Sequence, residues 1–113
     1  MTPEQSALVE RIRNLLEPEG ELREVRMFGG IAVMLRDAMV VNAGKSGDLL
    51  VRVSDDRGPE LAERDGAAPS LMGEREMGPG WVRVDADAVA DDDDLAFWVG
   101  EALAHNRAAT GGE

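Results

Sequence analysis

Cysteine is absent from this chain, so disulfides, thiolate nucleophiles and zinc-thiolate sites are excluded. Basic residues are scarce: Lys+Arg number 12 against 23 Asp+Glu, for a net charge of −11. A phosphate backbone would be repelled on average, so direct nucleic-acid binding is not expected. No run approaches the roughly 20 apolar residues that a bilayer demands, and the start does not read as a signal peptide. A soluble, cytoplasmic protein without membrane contact is the expectation. His105 is the lone histidine. To act as a general base it would need a nucleophile or an orienting partner, and no spacing offers one.

What is present is enough for one domain spanning 1–113, with an apolar fraction of 43%. The chain is organised around Arg26-Met27-Phe28-Gly29-Gly30-Ile31. Two glycines between strand-like runs predict a sharp turn, with Phe28 beside it as a large core anchor. A phosphate cradle would need a helix next, and the strand-like run Ile31 to Leu35 follows instead.

Thr2-Pro3-Glu4-Gln5 predicts a helix start with a capping box. Leu8, Val9, Ile12, Leu15 and Leu16 form one apolar stripe, and Pro18 and Gly20 end the helix near Glu17. Glu21 to Met27 reads as a first strand, Val25 and Met27 on one side and Glu24 and Arg26 on the other. Ile31–Leu35 and Met39–Val41 are apolar on both faces and belong in the middle of a sheet, joined by a tight turn at Asp37-Ala38. The polar loop Asn42 to Asp48 contains Gly44-Lys45-Ser46, the tail of a P-loop. Position 39, where that motif needs its leading glycine, holds Met39, so the nucleotide pattern fails.

Leu49, Val51 and Val53 point inward, with Leu50 and Arg52 outward. A short helix is expected from Glu60 to Asp65, stopped by Gly66, then a glycine- and proline-rich loop from Ala67 to Gly80 with a strand fragment at Leu71-Met72. Trp81 to Val84 is a last strand, Val82 and Val84 inward and Trp81 and Arg83 outward. A final helix from about Asp92 to Arg107 buries Leu95, Trp98, Val99, Ala102 and Leu103. Phe97, Gly100, Ala104 and Ala108 lie on its other side, and Ala109 to Glu113 should fray. Val89-Ala90 interrupt the series Asp85, Asp87 and Asp91 to Asp94, and the glycine that a calcium loop needs is not present. These aspartates read as helix caps and a solvated acidic face, and no metal site is expected.

This order of elements is similar to the TfoX (Sxy) N-terminal domain family over roughly residues 20 to 105. Arg26 to Gly30, Leu49 to Val53, Trp81 to Val84 and Asp91 to Leu103 carry the resemblance. It implies a small α+β domain that regulates competence genes together with a cyclic-AMP-responsive activator. The best-known members add a C-terminal helical domain, so a stand-alone N-terminal domain is expected here. The family offers no catalytic residues to transfer, and no enzymatic activity and no cofactor are expected.

The fold class expected is two-layer α+β: an antiparallel sheet of about five strands, with the N-terminal and C-terminal helices on one face. If the helices cover the face bearing Val25, Val51, Val53, Val82 and Val84, the other face carries Arg26, Leu50, Arg52, Trp81 and Arg83. Such Arg/Trp surfaces suit binding hot spots. The alternative is that the arginines pair with acids and Trp81 packs under the Ala67–Gly80 loop. Phe97 has a similar choice, between an outward interaction strip and packing on the first helix. The functional expectation is a regulatory module that binds a partner protein or itself. The second reading is a small-anion or nucleotide binder using Arg26, Arg52 and Arg83.

Overall fold

The computed structural model of the protein describes residues 2–72 and 74–111. Helix α1 runs Pro3–Leu16, capped by the Thr2 hydroxyl, which accepts from the Gln5 amide. The capping box does not close, because the Gln5 side chain is buried and donates to the Ala43 carbonyl at 2.9 Å. That bond ties α1 to the sheet. Leu8, Val9, Ile12 and Leu16 face the core, whereas Leu15 is 39% exposed.

Four strands then meander: β1 Leu22–Met27, β2 Gly30–Leu35, β3 Ala38–Ala43 and β4 Leu49–Arg52. A short helix α2, Gly58–Leu61, precedes β5 Ala67–Pro69, a small hairpin of β6 Leu71–Met72 and β7 Arg75–Glu76, and β8 Trp81–Val84. Helix α3 spans Asp92–Thr110. The main sheet is antiparallel with six strands in the order β1-β2-β3-β4-β8-β5, one more than expected. The extra strand is β5, hidden in the sequence by its three-residue length and terminal Pro69.

Two turns fall one residue earlier than the glycine and alanine pattern suggests. Phe28 and Gly29 form the β1–β2 turn, with φ of 55° and 73°. Phe28 is therefore no core anchor: it is 48% exposed. Gly30 opens β2, and a Cβ there would lie 2.1 Å from the Asn42 Oδ1 and 2.5 Å from the Ala43 carbonyl oxygen. The β2–β3 turn is Arg36-Asp37, again with positive φ at both residues, which is the primed geometry that matches strand twist. Arg36 is held there by Asn106 and Thr110 of α3, each at 3.0 Å, while the buried Asn106 amide donates to the Leu35 carbonyl.

Both long helices pack on one face of the sheet. The core joins Ile12 and Leu16 of α1 and Leu95, Trp98 and Val99 of α3 to Val33, Val41, Val51, Val82 and Val84. A register shift between Val33 and Met34 lets Val40 and Val41 both be buried. Helix α3 continues three residues past the expected Arg107 and ends at Gly111 in the left-handed conformation. Ala109 and Thr110 are thus helical; Gly112 and Glu113, also expected to fray, lie outside the described residues, as does Gly73. Helix α2 stops at Leu61, short of Gly66.

Candidate interaction surface

Register, not side-chain pattern, decides which residues share the uncovered side of the sheet. Met27 pairs with Gly30 and Arg26 with Ile31, Ile31 with Ala43, and Ala43 with Leu49. Directly paired residues project to the same face. Arg26 therefore lies on the helix side of β1, and the expected placement of Val25 inward and Arg26 outward is reversed. The reason is local: β1 is an edge strand beyond the helix layer, so charge on its helix side stays in water. Glu24 is on that side too, paired with Arg13 of α1 at 2.9 Å.

The same register places Val25, Met27, Ala32 and Met34 on the reverse face. Met39 pairs with Met34, and Asn42 with Ala32 and Leu50. Leu50 lies opposite Arg83, and Arg52 opposite Trp81. Four of the six expected interaction residues, Leu50, Arg52, Trp81 and Arg83, thus converge. Arg26 and Phe97 do not join them. Phe97 is half-buried on α3, edge-on to Trp98, with the Arg64 guanidinium 4.1 Å over its ring. The small residues Gly100, Ala104 and Ala108 beyond it are exposed.

The reverse face is apolar where an antiparallel sheet facing water is ordinarily polar. Val25, Met27, Met34, Met39, Leu50 and Trp81 are each half-buried, with no helix above them. Phe28 folds over this side and meets Trp81 edge to face, ring centroids 5.5 Å apart. The Asn42 amide donates to the Met27 carbonyl at 2.7 Å and so fixes the strand end that carries Phe28. At one end the β6–β7 hairpin forms a wall. Ser70 accepts from the Met77 amide and donates its own amide to the Trp81 carbonyl. The result is a pocket of about 330 Å3 lined by Phe28, Asn42, Leu50, Leu71, Met77 and Arg83, among others. Phe28 and Leu71, at 48% and 58% exposed, are two of the three most exposed large hydrophobics among the described residues.

Arg52 and Arg83 are engaged within the molecule, whereas Arg23, opposite Met34 at the edge of this face, is exposed and forms no ion pair among the described residues. Arg52 donates to the Val53 and Gly80 carbonyls at 2.7 and 3.2 Å, lies 3.8 Å from the Asp55 carboxylate, and stacks 5.0 Å over Trp81. Arg83 pairs with Asp48 at 3.2 Å. With Arg26 on the other face, the three arginines do not form the anion cradle of the second reading. Trp81 takes part in both alternatives: it is partly sheltered by its own chain, yet its ring remains on the open side.

Among the described residues no group of three or more His, Asp or Glu side chains is arranged to hold a metal. Asp91 caps α3 by accepting from the Asp93 amide, and Asp92 pairs with Arg11. His105 is half-buried, and burial first, then the nearby Arg52 charge, holds its pKa below the ordinary imidazole value, against the opposing pull of Asp55. No helix among the described residues is long and apolar enough to cross a membrane.

Sequence reasoning missed Phe28, Leu71 and the row Met27, Met34 and Met39. The two-residue turn carried the signal, since it fixes Met27 opposite Gly30 and hence the parity of both strands. No curated protein matches the chain. The family model described as the TfoX N-terminal domain matches residues 14–106.

Proposed function

This chain belongs to the TfoX N-terminal domain family, and on that premise we propose that it is a non-enzymatic regulatory module that docks a partner protein on the reverse face of its sheet. One observation carries the reading: a sheet face lined by methionine, leucine and aromatic side chains that the chain itself leaves half open. Exposed apolar patches of this kind mark interaction sites in soluble proteins. Methionine suits them, because its unbranched, polarizable side chain repacks around different partners. Arg52 and Arg83 beside the pocket are paired with Asp55 and Asp48, so the centre of the surface selects for shape and apolar contact rather than for phosphate or other anions. A role in transcriptional or competence regulation accords with the family but enters only through the identity of the partner.

Affinity capture from the producing cell, read by mass spectrometry, tests the proposal. Leu71→Asp and Trp81→Ala should lose a partner that the wild type and Leu15→Asp both retain. Equal recovery by all four proteins would overturn it.

A further inference from the structure

The two edges of the six-stranded sheet are built differently. One edge is β5, three residues long and ending in Pro69, a strand that offers little to a neighbour. The other is β1, six residues with no proline and no register shift against β2. Nothing in the described chain pairs with its outer side.

We infer that β1 pairs with β1 of a second copy of this chain, antiparallel about a two-fold axis, to give a continuous twelve-stranded sheet. The register follows from backbone geometry. A two-residue primed turn makes its flanking pair, Met27 and Gly30, exchange both hydrogen bonds. By alternation Val25 and Arg23 also bond inward to β2. The N–H and C=O groups of Leu22, Glu24 and Arg26 then point out of the sheet. These outward residues must face one another across the axis, which leaves a short choice of registers. Glu24 opposite Glu24 sets like charges together, and so does Arg26 opposite Arg26. With Val25 opposite Val25, Glu24 of each copy instead faces Arg26 of the other.

Three further features fit that register. Arg26 is exposed and forms no ion pair among the described residues. It lies on the helix side, beside a groove between α1 and β1 lined by Glu10, Glu17, Glu21 and Glu24. Arg13 engages the Glu24 Oε2, leaving Oε1 to accept from the incoming guanidinium. Pairing at β1 leaves the reverse face open, so the dimer and the docking surface are independent.

Sedimentation velocity on the full chain, up to about 1 mM, tests the inference. The wild type should show a concentration-dependent dimer. Glu24→Arg and Arg26→Glu should each weaken it at least tenfold, and the double charge swap should restore it, because each partner then meets its complement again. Glu24→Pro removes an outward N–H and should abolish the dimer with the β1–β2 pair retained, as far-ultraviolet circular dichroism would confirm. A wild type that stays monomeric throughout overturns the inference. So do folded single reversals that dimerise like wild type, or a double swap no better than either single.

Discussion

Phe28 offers the sharpest physical test, because it occupies a conformation that its side chain disfavours. Phe28→Gly and Phe28→Ala both delete the ring that meets Trp81 at 5.5 Å. Each loses about 0.5–1.5 kcal/mol of aromatic pairing and roughly 1 kcal/mol of partial burial. They differ only at the backbone. With φ at 55°, alanine retains the left-handed penalty of about 1–2 kcal/mol, which glycine escapes. Glycine gives back about 0.4–1 kcal/mol through its freer unfolded chain. The glycine variant should therefore be the more stable of the two by roughly 0.5–1 kcal/mol, with a Tm about 2–5 °C higher. Both should lie below the wild type. Urea titration and thermal melting of the three proteins measure this directly. An alanine variant equal to or more stable than the glycine variant would refute the strain argument.

Asn106→Ala should destabilise by about 1–3 kcal/mol in urea titration, since it strips the Leu35 carbonyl and the Arg36 guanidinium of a buried partner. Gly30→Ala should cost about 1–3 kcal/mol or prevent folding, because the new Cβ meets the backbone oxygen of Ala43 in the next strand. Burial holds the His105 pKa below the ordinary imidazole value of 6.5, so the unfolded chain takes up the proton first as pH falls. Its contribution is complete above about pH 6.5, declines below it, and levels off once pH passes the folded-state value. The stability difference between wild type and His105→Gln, followed from pH 8 to 4, should bend in that window; a difference flat across it would contradict the assignment.

The helices were legible because each carries a long amphipathic stripe and a cap: Thr2 and Pro3 at α1, the aspartates at α3. Strands β4 and β8 were legible from strict alternation of valines with Leu50, Arg52, Trp81 and Arg83. The failures share a cause. In β1, charge lies on the helix side and Val25 on the open side, so polarity misreports direction on an edge strand. At 36 and 37 the positive φ falls on Arg and Asp, held by Asn106 and Thr110 from far along the chain, which no local glycine rule can detect. Apart from the fragment at Leu71-Met72, which is β6, the stretch 67–80 reads as loop because its strands are two or three residues long and are fixed by pairing with β8 and with one another. The surface was half legible: alternation found Leu50, Arg52, Trp81 and Arg83, while Phe28 and the methionines needed the turn's register.

The reverse face as a docking surface is tested most directly by photocrosslinking in the producing cell. Benzoylphenylalanine replaces Leu71 on that face or Leu15 on α1, residues 58% and 39% exposed. The account predicts a discrete adduct with another protein from position 71 and none from position 15. Absence of any adduct at 71, or the same adducts from both positions, would contradict it.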